Sequence, residues 1–204
     1  MTIDFDHRKE DISDLPPRER ILLAAYETIL EDQISGTRLR KIAEKAGMAQ
    51  GHLHYYFSSK DELLLELLHE IIKSFSEDRA GLLDDASISA MSKLVALFEY
   101  KANGIRAGVN DFVLFDFWVH SVSNEAIRKD IDSFYTPWRE TIRVIVHAGV
   151  ESGEFSPRHA EMIPSYFISL MDGAALQYLI DDMAFDLQEY FQKAGEMIAE
   201  LLKP

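Results

Sequence analysis

The 204-residue chain has no cysteine, which excludes a disulfide framework and any thiolate metal site and fits a reducing cytoplasm. It has no run of eighteen apolar residues, and its densest apolar segment, 112–122, is about half the length that crosses a bilayer. The N-terminus is charged, lacks the apolar core of a signal peptide and ends in Pro16 and Pro17. Residues 1–16 are therefore expected to form a flexible arm. There is no G-x-S-x-G, H-E-x-x-H or glycine-rich phosphate loop, no internal repeat and no low-complexity segment. Nor does any alternating strand pattern occur after Ser87. A soluble all-α protein is expected, cytoplasmic, with no cofactor, no metal site and no catalytic residue.

What is present is an ample core, with 47% hydrophobic residues arranged at helical spacing. The stretch from Gly36 to Leu64 organises the rest. Leu39, Ile42, Ala43 and Ala46 fall at i, i+3, i+4 and i+7, Gly47 follows, and Leu53 and Phe57 mark a second short stripe. Two short helices joined through glycine make a helix-turn-helix over about 37–57, with Thr37 placed to cap the first. Before it, Pro17 opens a helix with Leu22, Ala25, Tyr26, Ile29 and Leu30 on one stripe. After it, Ser59 and Glu62 form a capping box at the start of a long helix whose leucine stripe reaches Phe75 and ends at Gly81. Five more helices are predicted: one from Met91 to about 104–108, then 110–123, 124–152, 158–181 and 186–202. Pro164 should kink the eighth unless that helix starts later. The architecture predicted is about nine helices in two parts. Residues 17–62 are expected to form a three-helix domain that contains the helix-turn-helix, and 63–204 a larger helical bundle.

A net charge of −14 opposes a nucleic-acid partner until its distribution is considered. From Gly36 to Lys60 five basic residues face Glu44 alone, a local charge of +4. From Asp61 onward 12 basic and 25 acidic residues give −13. A small basic patch on an acidic body draws phosphate to one place. The outward residues of the second short helix, Gln50, Gly51, His52, His54 and Tyr55, carry no carboxylate and suit base edges and phosphates.

This stretch resembles the DNA-binding domain of the tetracycline-repressor (TetR/AcrR) family of bacterial regulators. The resemblance is carried by Thr37, Ile42-Ala43, Ala46-Gly47, Gly51, Leu53, Tyr55-Tyr56-Phe57, Ser59-Lys60-Asp61 and Leu63-Leu64, over about 18–68. Phe117-Trp118, Trp138, Gly153-Glu154-Phe155 and Asp172-Gly173 match a looser C-terminal pattern. The resemblance implies a homodimer on a two-fold DNA operator, most simply a repressor, released by a small-molecule effector. It implies base reading by Gln50, Gly51, His52 and His54 and phosphate contact by Thr37, Tyr55, Tyr56 and Lys60, with Arg38 beside them. Ala49 stands where the family has a serine or threonine cap, which leaves the recognition helix without one, a loss of about 1 kcal/mol.

Three further groups of residues stand out. Asp116 lies in an apolar stretch where an unpaired carboxylate would cost several kcal/mol on burial. It is either a polar anchor of a ligand cavity lined by Phe115, Trp118, Trp138, Tyr166 and Met171, or a structural ion pair with His120. An effector of apolar or aromatic character is expected there. Small residues on the eighth helix and the amphipathic ninth, as the resemblance implies, place Gly173, Ala174, Tyr190, Phe191 and Ile198 at a dimer interface. Glu66 and His69 have the E-x-x-H spacing of a carboxylate-bridged metal enzyme, but no second copy follows.

Overall fold

A computed structural model describes residues 12–74, 87–107 and 110–204. Among them are nine α-helices, two short 3-10 helices, Ile12–Asp14 and Pro157–Met162, and no strand. The helices are α1 Pro17–Gly36, α2 Leu39–Lys45, α3 Gln50–Tyr56, α4 Lys60–Ser74, α5 Ala90–Ala107, α6 Asn110–Ser121, α7 Glu125–Glu151, α8 Ile163–Ile180 and α9 Leu187–Leu201. The part of the predicted leucine helix around Phe75 and Gly81 lies outside the described residues.

The residues up to Glu77 that are described, with Phe112–Asp132, form one compact unit. Those of Asp78–Asp111 with Ser133–Pro204 form a second. In the first, α1 packs on α2 and α4, and α2 on α3. The apolar stripes read from the sequence supply the contacts: Ile21, Ala25, Tyr26, Ile29, Ile42, Ala43, Leu53, Phe57, Leu64 and Leu68 are fully or almost fully buried. Gly47, at φ 67°, makes the left-handed turn between α2 and α3 that a side chain would strain. The start of α4 is capped as its S-x-x-E pattern requires. Ser59 Oγ accepts from the Glu62 N–H at 3.1 Å, while the Glu62 carboxylate reaches back to the Ser58 N–H at 2.8 Å rather than to Ser59.

In the second unit α5 packs against α9 and α8. Phe98 stacks on Phe167 with centroids 3.8 Å apart and on Phe191 at 5.3 Å, one aromatic from each of the three helices. At the N-terminus of α5, Ser89 Oγ accepts from the Ser92 N–H at 3.1 Å, and Glu154 supplies both carboxylate oxygens to the N–H groups of Ala90 and Met91, each at 2.9 Å. Gly149 is required on α7, because a Cβ there would fall 2.2 Å from the ring of buried Phe155. The eighth helix starts later than Arg158. Residues Pro157–Met162 form a 3-10 turn, and α8 begins at Ile163 with Pro164 in its first turn, where a missing N–H breaks no bond.

Candidate nucleic-acid interface

The helix-turn-helix places α3 with one face in the core and the other in solvent. Leu53 and Phe57 are fully buried, whereas Gln50, Gly51, His52, His54 and Tyr55 are all exposed, Tyr55 by 82%. His52 and Tyr55 each pack a ring against Tyr56, with centroids 5.4 and 5.2 Å apart. Ala49 caps α3 with no side-chain hydrogen bond, as its side chain dictates. A Cβ added to Gly51 would meet nothing within 4 Å, so the free protein does not need glycine there.

Arg18, which sequence reasoning missed, fixes the far end of α3. Its Nη1 donates to the Tyr56 carbonyl at 3.3 Å, its Nε to Glu66 Oε1 at 2.6 Å, and its guanidinium lies 4.6 Å over the Phe57 ring. The second residue of α1 thereby ties α3 to α4. An arginine at that position in the sequence is indistinguishable from a solvated charge.

The basic patch is smaller than the charge count implies. Lys41 pairs with Asp32 at 2.7 Å and Glu31 at 2.9 Å; Lys45 pairs with Glu31 at 2.7 Å and Glu27 at 3.4 Å. The bonds from Lys45 and Lys41 hold the Glu31 carboxyl down at about 2. Arg40 has only the exposed partner Glu44 one turn on, and Arg38 forms no ion pair among the described residues.

Two residues expected at phosphates face inward. Thr37 is 3% exposed, and its hydroxyl donates to the Gln33 carbonyl at 2.7 Å, so it neither caps α2, whose N-cap residue is Arg38, nor presents an oxygen to DNA. Lys60 Nζ donates to the carbonyls of Ile34 at 2.6 Å and Thr37 at 2.8 Å. Both sit at the end of α1, which breaks at Gln33: the Thr37 hydroxyl joins its own N–H on the Gln33 carbonyl, and the Lys60 ammonium binds carbonyls that follow the break.

Asp116 is the third revision. Its Oδ2 accepts from the Ile34 N–H at 2.5 Å, so its partner is a backbone amide 82 residues away, and not the His120 imidazole. Phe115 and Trp118 pack edge to face on α6, Trp118 46% exposed. Trp138, Tyr166 and Met171 belong to the second unit, where Trp138 and Met171 are buried and Tyr166 is 45% exposed.

Two family models match: the tetR family of bacterial regulatory proteins over residues 21–67, and the C-terminal domain of BetI-type transcriptional repressors over residues 112–203. The chain belongs to the TetR family of bacterial regulators. It is 25% identical over 174 residues to the fatty acid metabolism regulator protein of Bacillus subtilis (strain 168), across 84% of this chain and 88% of that one. The structure of a regulator from Saccharomonospora viridis in complex with choline matches with a TM-score of 0.78 at 26% identity, over 91% of this chain and 96% of that one. FadR from Bacillus subtilis in complex with stearoyl-CoA matches in fold, with a TM-score of 0.76 at 22% identity over 90% and 98% of the two chains. This TetR-family regulator is a DNA-binding protein with a helix-turn-helix and a ligand-binding C-terminal domain.

The regulator's second unit holds buried polar pairs that the sequence reading did not find. Tyr135 Oη donates to Asp172 Oδ2 at 2.8 Å, and Lys101 Nζ meets Asp111 Oδ1 at 2.5 Å. Burial pushes the Asp172 carboxyl upward, against the Tyr135 bond and the nearby Lys101. Burial also raises the Tyr135 hydroxyl. Asp172 interrupts an apolar helix in the same way as Asp116, and that interruption is the signal that could have found it. An open groove of about 460 Å³ lies between α5 and α9, lined by Met91, Val95, Phe98, Phe191 and Gly195 among others.

Among the residues expected at a dimer interface, Ala174, Phe191 and Ile198 are buried inside the chain itself. The large face of α9 is used intramolecularly, against α5 and α8. Tyr190 is half-buried, its hydroxyl 3.4 Å from the Leu170 carbonyl. Gly173 has open space beside it, and Tyr166, Leu176 and Ile180 on α8 and Met197 on α9 are exposed. Glu66 is bound to Arg18, and His69 Nε2 lies 3.0 Å from Asp130. No group of three or more metal-ligating side chains occurs among the described residues.

Proposed function

We propose that the regulator is a homodimeric repressor of the bacterial cytoplasm that binds a two-fold operator and leaves it when a small molecule binds the C-terminal domain. The observation that carries this reading is the face of α3. Gln50, Gly51, His52, His54 and Tyr55 form one exposed row without a carboxylate, held rigid from behind by Leu53, Phe57 and Arg18. Gln50 can present a donor and an acceptor to adenine, the histidines donate to guanine or phosphate, and the absent side chain at Gly51 lets the backbone approach. Dimerisation is supported by Tyr166, Gly173, Leu176 and Ile180 on α8, whose spacing of three, four and seven residues puts exposed apolar and small groups along one face. An effector of apolar or aromatic character is supported by the edge-to-face pair of Phe115 and Trp118 on α6, Trp118 close to half exposed. Release follows from linkage: a ligand favouring the conformation whose recognition helices no longer fit successive major grooves lowers DNA affinity by its differential binding energy.

Selection of bound fragments from a random DNA pool tests the reading. Enrichment of an inverted repeat, bound by a species of twice the monomer mass in sedimentation, is the expected result. A pool that returns unenriched after repeated rounds would refute it.

A further inference from the structure

Gln33 has φ 60° and ψ 169°, the only positive φ outside glycine among the described residues. Such a conformation is costly for a residue with a side chain and persists only where its surroundings hold it. Contacts from two other helices do so. In an unbroken α1 the Ile34 N–H would donate to the Leu30 carbonyl one turn back. Here it donates to Asp116 of α6 at 2.5 Å. From the other side Lys60, the first residue of α4, holds the Ile34 and Thr37 carbonyls at 2.6 and 2.8 Å. The Thr37 N–H and hydroxyl both close on the Gln33 carbonyl, at 3.0 and 2.7 Å. Burial lowers the Lys60 ammonium, and the charges of Asp61 and Asp116 oppose that shift.

We propose that the end of α1 is a two-state latch in which Asp116 is the positioning residue for DNA recognition. With Asp116 on the Ile34 amide, α1 breaks at Gln33 and the turn through Thr37 and Arg38 sets α2 and α3 in their DNA-binding arrangement. With Asp116 withdrawn, Ile34 returns to the Leu30 carbonyl, Gln33 relaxes to helical angles and that turn moves. The two states differ by one exchanged hydrogen bond and one strained residue, so small displacements of α6 suffice to choose between them. Only Val122, Ser123 and Asn124 separate α6 from α7. The latch rests on the DNA-binding reading given above and adds the residue through which α6 governs it.

The test uses the full chain, the DNA enriched by the wild-type protein, and the 13Cα and 13C′ chemical shifts of Gln33. Asp116→Ala should weaken DNA binding at least tenfold and move the Gln33 shifts to helical values. Adding Gln33→Gly, which relieves the strain of the broken form, should restore most of the lost affinity. Asp116→Asn keeps a neutral acceptor and should lie between wild type and Asp116→Ala in both measurements, and it replaces Asp116→Ala should that variant not fold. Wild-type affinity or unchanged Gln33 shifts in Asp116→Ala would overturn the proposal, and so would a double variant no better than Asp116→Ala. If the wild-type chain enriches no DNA, the functional reading fails, while the Gln33 shifts still decide whether Asp116 selects the broken helix.

Discussion

The two helices of the helix-turn-helix pack on one another and use their polar side chains in opposite ways. On α2, Lys41 and Lys45 are turned to Glu27, Glu31 and Asp32 of α1, so their charge is spent within the protein. On α3, the polar residues from Gln50 to Tyr55 face solvent, Tyr56 is half-buried beneath the rings of His52 and Tyr55, and the helix has no lysine, arginine or carboxylate. On the proposed function, recognition depends on shape and hydrogen bonds from α3, with electrostatic attraction expected mainly from Arg38 and Arg40. A regulator built this way should show a modest salt dependence for its size, since the slope of log K against log salt counts the phosphates neutralised by free cations.

The largest expected effect on this comparison comes from filling the open position on α3. Gly51→Leu should lower affinity for the selected DNA about 100-fold, or about 2.7 kcal/mol. The melting temperature should stay level or rise, because leucine is the better helix former. A fall in both would mean that Gly51 serves the fold and not the DNA. Next in size, Lys60→Ala should reduce affinity about tenfold, or about 1.4 kcal/mol, with an unaltered salt slope, because its ammonium is bonded to carbonyls of α1. Arg38→Ala should reduce the slope by about one in the same titration. A slope lowered by the Lys60 variant would return that residue to the phosphates.

Ala49→Ser supplies the missing cap of α3 and should raise stability by about 1 kcal/mol in denaturant unfolding. The smallest expected effect comes from Glu31→Gln, which loosens Lys45, left with Glu27 at 3.4 Å, while Lys41 keeps Asp32 at 2.7 Å. Binding should strengthen about threefold at low salt and become steeper in salt. Its pH signature has a defined sign. The Glu31 carboxyl is held at about 2 in the fold, from an ordinary 4.5, so its contribution is complete above about 4.5 and fades as pH falls toward 2. The stability difference between wild type and Glu31→Gln should close over that interval, and a difference that persisted at pH 2 would place the effect elsewhere.

Much of the fold was legible because amphipathic periodicity and capping are local. Ser59 with Glu62, Pro17, Gly47 and the stripe of Leu53 and Phe57 each mark their own element, and each lies where its pattern puts it. The exposed row on α3 was legible for the same reason. The dimer residues on α9 were not. An apolar stripe shows that a face is buried without showing what buries it, and α5 and α8 cover Phe191 and Ile198 within the chain.

The sequence by itself indicated the nine helices found among the described residues, a helix-turn-helix with an uncapped recognition helix, and the presence of a carboxylate in α6 that needed a partner. Which partner it has was decided by tertiary structure alone. Backbone amides and carbonyls carry no sequence signature, and those that bind Asp116 and Lys60 become available only where α1 breaks at Gln33 and two distant helices reach the break. The same holds for the lysines of α2, whose charge is set by carboxylates of α1 that come within 3 Å only after folding.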